Sequence, residues 1–157
     1  MKEYLFLYKE FNNRYYSIVN HPNTSLRFLS TFLAEDFRPW DTDFLIQPIN
    51  LYNDNFIYHD FEQRMLYIGF SEWSLSDGEM HCPDEEEFPQ YVNETNSCKM
   101  SVDNFMEFRQ SWIAIKKNLP DFVLLYRDEL DWVHCRGFAT QADMELFVKN
   151  YTVQVAH

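Results

Sequence analysis

The segment from Ser101 to Phe138 constrains the fold most. Ser101 is a natural N-cap, because its hydroxyl can accept from an amide left unpaired in a first helical turn. Asp103 follows where the helix dipole favours negative charge. Phe105, Phe108, Trp112 and Ile115 then recur at helical spacing, with Met106 and Ile113 beside them. Lys116 and Lys117 close the pattern and Pro120 stops it, so the spacing predicts a helix over Val102–Asn118. Phe122 to Tyr126 reads as a buried strand and Arg127 to Asp131 as a polar turn. Trp132 to Arg136 alternates like a half-exposed strand, which makes a hairpin. Thr140 opens a last helix, with Asp143 at the capping-box position and Met144, Phe147, Val148 and Tyr151 as its apolar face.

Upstream, Tyr4 to Tyr8 is a β-prone run, Asn12-Asn13 a turn, and Arg14 to Val19 a second short strand or helical turn. A helix should run from an Asn23, Thr24 or Ser25 cap to about Phe37, before Arg38-Pro39. Leu26, Leu29 and Leu33 mark its buried stripe, with Phe28 and Phe32 beside them. Phe44–Ile46 and Ile49–Tyr52 flank Pro48 as loop and edge-strand material. Phe56–Tyr58 and Met65–Phe70 form a hairpin around Asp60–Gln63, and the second strand, apolar on both faces, should be central. The expectation is an α+β single domain over residues 1–157, a mostly antiparallel sheet with about three helices packed on it. Aromatic residues make up 18% of the chain, enough to build that core and to argue against disorder.

Between Met65 and Cys98 there is no Lys or Arg, and there are eight carboxylates. The dense run is Asp84-Glu85-Glu86-Glu87, between Pro83 and Pro89. Pro83 to Tyr91 has neither period, so an acidic loop is expected over about 71–98, running between the central strand and the Ser101-capped helix. Phe88, Tyr91 and Val92 could pin it to the domain.

The chain carries a formal net charge of −12. That excludes direct binding to nucleic acid or to anionic membranes and favours a basic partner. Three glycines leave no glycine-rich phosphate loop. Cys82, Cys98 and Cys135 form no disulfide framework, and with no signal peptide or spanning segment read in the chain, a cytoplasmic location is expected. His81, Cys82, Cys98, His134 and Cys135 are zinc-ligand types at spacings that match no standard finger. Asp77, Glu79 and Asp84–Glu87 lack EF-hand spacing. No nucleophile motif occurs, so no catalytic residue, metal or cofactor is assigned. Partner contacts are assigned to Asp77, Glu79, Asp84, Glu85, Glu86 and Glu87, with Trp73 or Tyr91 as aromatic anchor.

The run M-S-V-D-N-F-M-E-F-R-Q-S-W from Met100, then N-L-P-D-F-V-L-L-Y-R-D-E-L-D-W-V-H-C-R-G-F to Phe138, resembles small bacterial immunity proteins. These are cognate antidotes of polymorphic toxins, including contact-dependent growth inhibition systems. The matched part is about a quarter of the chain and consists mostly of core residue types. The resemblance implies an α+β cytosolic protein without catalysis that binds one toxin C-terminal domain, often a basic nuclease. It transfers no site residue. Two other readings remain open at this point: a small hydrolase-like enzyme using Cys and His, and an acidic nucleic-acid mimic bound to a basic regulator.

Overall fold

The computed structural model describes residues 1–18, 23–71 and 82–155. Among these, eight strands form two antiparallel four-stranded sheets. The first sheet contains β1 (Glu3–Lys9), β2 (Tyr15–Ser17), β7 (Phe122–Arg127) and β8 (Val133–Phe138) in the order β2-β1-β7-β8. The second contains β3 (Ile49–Leu51), β4 (Asn55–Asp60), β5 (Met65–Phe70) and β6 (Ser97–Ser101) in sequential order. The helices are α1 (Leu26–Thr31, continued by a π turn over Phe32–Asp36), α2 (Asp43–Ile46), α3 (Phe88–Tyr91), α4 (Val102–Asn118) and α5 (Gln141–Val155). The fold is α+β.

One core joins the inner faces of both sheets. Strand alternation puts Leu5 and Leu7 of β1 on the same face as Leu125 and Val123 of β7, their register partners. Ile57, Leu66, Ile68, Cys98 and Met100 supply the second sheet's inner face. Leu26 and Leu29 of α1 and Phe105, Phe108 and Trp112 of α4 fill the space between, all almost fully buried. Each sheet's outer face has its own cover. On the first sheet, Leu124 and Met144 are both buried, and Phe147 and Tyr151 of α5 lie against Tyr126 at 5.7 and 5.8 Å. On the second, Phe56 is covered by Phe88, and both are fully buried.

The long helix occupies the predicted span, and Ser101 Oγ accepts from the Asn104 amide at 3.0 Å. Thr140 Oγ1 accepts from the Asp143 amide at 3.1 Å, as its spacing predicts. β5 is an interior strand, also as expected.

Three expectations are corrected. Phe44–Ile46 is a helical turn, not edge-strand material, because Phe44 must tuck under Phe105 at 4.9 Å. The loop expected over Pro83 to Tyr91 ends in α3, whose apolar Phe88 nucleates against the sheet. Ser97–Ser101 is a strand, so the acidic excursion ends before Ser97 rather than at the long helix. The serine and lysine of that strand, at alternate positions to Cys98 and Met100, hid a buried face in a polar string. The three expected helices are α1, α4 and α5, and the described residues add the single turns α2 and α3.

Asn104 ties α4 to the edge strand β8. Its Oδ1 accepts from the Val133 amide at 2.8 Å, and its Nδ2 donates to the Val133 carbonyl at 2.9 Å. The side-chain amide thus acts as one residue of an added strand, at 1% exposure. Asn104→Ala leaves a buried donor and a buried acceptor unmet. It should lower unfolding free energy by about 2–4 kcal/mol, read from urea denaturation. A change within error of zero would mean that water replaces the amide.

Candidate functional site

The outer face of the second sheet carries the acidic run. Register places Leu51, Phe56, Gly69 and Ser97 in one row across it, and Ile49, Tyr58, Tyr67 and Lys99 in the next. Phe88 rests on these rows, edge-on to Phe56 at 5.5 Å and stacked with Tyr58 at 6.2 Å. Gly69 makes this possible: a Cβ there would meet the Phe56 ring at 2.5 Å.

Phe88 fixes the carboxylates just before it. The Asp84 carbonyl accepts from the Glu87 amide at 2.9 Å and from the Phe88 amide at 3.1 Å, closing a turn. The four side chains of Asp84, Glu85, Glu86 and Glu87 are exposed and make no ion pair among the described residues. Beyond α3 the chain is knotted again. Asn96 Nδ2 donates to the Tyr91 carbonyl at 2.7 Å, and Ser97 Oγ donates to the Asn93 carbonyl at 2.6 Å. The acids therefore sit on a braced turn. Tyr91 is half-buried, its ring 6.1 Å from Phe56 and 6.0 Å from Phe88. It braces the turn and leaves part of its surface outward. Trp73, Asp77 and Glu79 lie outside the described residues, as does His81.

A second concavity, about 510 Å³, opens at the β6 edge between Lys99, Ser101, Trp132 and Asp131, with Arg127 in its lining. Sequence reasoning missed its key pair. Arg127 was read as the start of a polar turn, yet it ends β7 at 8% exposure. Its Nε donates to Glu3 Oε2 at 2.7 Å, and its Nη1 donates to the Lys99 carbonyl at 2.9 Å and the Asp131 carbonyl at 3.1 Å. Glu3 also accepts from the Thr24 hydroxyl, from Ser25 Oγ at 2.8 Å and from the Ser25 amide at 3.0 Å. Of the three expected α1 cap residues, Thr24 is the one whose side chain caps: its Oγ1 accepts from the Leu26 amide at 3.2 Å, while Ser25 makes no side-chain bond into the helix. A carboxylate and a guanidinium 124 residues apart carry no local sequence signal.

Burial pushes the Cys98 thiol up to about 11 and the Cys135 thiol up to about 12, and Cys82 is raised by burial and by Asp84. His59 Nδ1 lies 3.0 Å from the Phe44 carbonyl, and His134 Nε2 lies 2.7 Å from Asp128. Neither histidine is hydrogen-bonded to a thiol. Among the described residues, no three His, Cys, Asp or Glu side chains are grouped to hold a metal ion. No described helix is long and apolar enough to cross a membrane.

No protein-family model, curated protein or solved structure matches this chain.

Burial alone would raise the Glu3 carboxyl, but hydrogen bonds from Thr24, Arg127 and Ser25 and the Arg127 charge outweigh it and hold it below its ordinary 4.5. A depressed folded value stabilises above the unfolded value and is lost as pH falls through the folded one. Glu3→Gln should therefore lower the urea midpoint at pH 7, and the gap to wild type should narrow below about pH 4.5. A gap that stays constant from neutral to acid pH would exclude this contribution.

Proposed function

We propose that this chain is an immunity protein that binds a cognate basic toxin domain, a nuclease, and neutralises it by covering the active or substrate-binding surface. The observation that carries the reading is the braced turn: four neighbouring carboxylates are held exposed over a fully buried phenylalanine. Ordering such a run in advance lowers the entropy lost on binding. Its field speeds encounter with a basic surface, and its charges can match Lys and Arg at the interface. Asp84, Glu85, Glu86 and Glu87 are the proposed contacts, joined by Asp77, Glu79 and Trp73, with the outward part of Tyr91 as anchor. The location in which such a protein would act is the cytoplasm.

Two further observations support binding over catalysis. The thiols are raised rather than activated, and the described histidines serve backbone or carboxylate partners. The resemblance over Met100–Phe138 points the same way, although that segment supplies core, cap and hairpin rather than the acidic turn.

The test is co-expression. The C-terminal domain encoded by the adjoining reading frame should arrest growth alone and fail to do so with this chain present. Reversing Glu85, Glu86 and Glu87 to Lys should cut the association rate at least about tenfold and flatten its salt dependence, as measured by surface plasmon resonance. A reversed variant with unchanged rate and salt slope would exclude the acidic turn. A harmless adjoining domain that does not bind would exclude the immunity reading.

A further inference from the structure

The acidic turn has a neighbour that charge alone does not explain. β3 is the outermost strand of its sheet among the described residues. The Pro48 carbonyl accepts from the His59 amide at 2.8 Å, and the Tyr52 amide donates to the Asn55 carbonyl at 2.8 Å. Antiparallel ladders alternate, so residues 48, 50 and 52 face β4 while the amides and carbonyls of Ile49 and Leu51 face away. Neither of those two has a backbone partner among the described residues.

Edges of this kind are normally blunted by short length, prolines, lysines, bulges or a covering element, and β3, three residues long after Pro48, has the first two. In place of lysines it is flanked by exposed apolar side chains: Trp40 at 76%, Ile46 at 71% and Leu51 at 54%. Two bonds tie the segments that carry Trp40 and Ile46 to β3 and the residue after it. Asp41, next to Trp40, accepts from the Tyr52 hydroxyl at 2.9 Å. Asn50 Nδ2 donates to the Gln47 carbonyl at 3.3 Å, holding the α2 terminus that carries Ile46.

The segment that carries these residues is mostly acidic. Between Phe32 and Asn55 the sole cation is Arg38, against five carboxylates; Glu35 is paired with Arg14 and Asp36 is buried, which leaves Asp41, Asp43 and Asp54. Two copies meeting edge to edge would set acid against acid, so the occupant that fits is not a second copy of this chain.

We propose that the β3 edge receives an extended segment of the partner as an added strand, one in which Lys or Arg alternates with apolar residues. The backbone of Ile49 and Leu51 supplies the ladder. Trp40, Ile46 and Leu51 take the apolar side chains, and the acidic segment takes the basic ones. The site is continuous with the acidic turn, since Leu51 pairs with Phe56, on which Phe88 sits. The proposal rests on the basic-partner reading and specifies how that partner engages.

The experiment uses amide hydrogen exchange and ¹⁵N–¹H spectra of the whole chain. The probe is a synthetic peptide of alternating lysine and valine, with alternating glutamate and valine as its control. Exchange at Ile49 and Leu51 should slow about tenfold or more with the lysine peptide, while Asn50, already paired to β4, stays unchanged. Leu51→Lys, at an exposed position, should keep the spectrum of the folded chain and lose this protection. Reversing Glu85–Glu87 should leave it in place. Shifts confined to residues 84–87, or none at all, would overturn the edge proposal while leaving the partner-affinity test of the acidic turn untouched. Equal protection by the glutamate peptide would overturn its charge basis. Protection of Ile49 and Leu51 without peptide, in a chain that sediments as a dimer, would make a second copy the occupant and overturn it as well.

Discussion

One buried guanidinium holds the two sheets in register. Arg127 leaves the end of β7 and reaches Glu3 of β1, the β6 carbonyl of Lys99 and the Asp131 carbonyl of the turn that leads to β8. Glu3 then passes the connection to Thr24 and Ser25 at the start of α1. A charge taken this far out of water is tolerable only when nearly every donor is used, and here the guanidinium finds carboxylate, carbonyl and thiol partners. Apolar packing can slide, whereas a multiply bonded guanidinium cannot. Its geometry sets where β6 lies against the first sheet, and therefore where the second sheet's outer face points.

That orientation is what the acidic turn uses. A run of four carboxylates repels itself and has no reason to hold one shape. Phe88 supplies the reason, because burying an aromatic ring is worth a few kcal/mol, and the Gly69 position is empty so that Phe56 can meet it. The same sheet face thus has a rigid acidic corner above Phe56 and an open apolar edge at Leu51. Charge on a braced support and, among the described residues, unpaired backbone beside it are what the proposed binding surface rests on, and neither needs a moving part.

Legibility in the sequence followed the range of each interaction. Helix α4 was readable end to end, because cap, stripe, dipole and stop signals all lie within its own span. The hairpins Phe56–Phe70 and Phe122–Phe138 were readable for the same reason: each strand's partner is its neighbour. What escaped was non-local. Arg127 looks like a turn residue until Glu3 arrives from the far end of the chain. Ser97–Ser101 looks polar until alternation puts Cys98 and Met100 inward against a core that other segments build. Phe44–Ile46 reads as loop or edge strand until Phe105 gives its ring a place.

The acidic turn lies between these cases. Its composition was conspicuous and its location on the surface followed from charge alone. The anchoring role of Phe88 was legible only as a possibility, since an aromatic beside acids can serve the fold or a partner. Full burial of Phe88 gives it to the fold, and half-burial of Tyr91 divides that residue between the two. The β3 edge was harder to see. Pro48 marked it as an edge, but which backbone groups point outward depends on pairing with β4, and the segments that carry Trp40 and Ile46 are tied to it through Asp41 and Asn50. Apolar residues scattered in a sequence become a surface only when contacts far apart in the chain set them beside one strand, and here, among the described residues, that strand still has backbone hydrogen bonds to give.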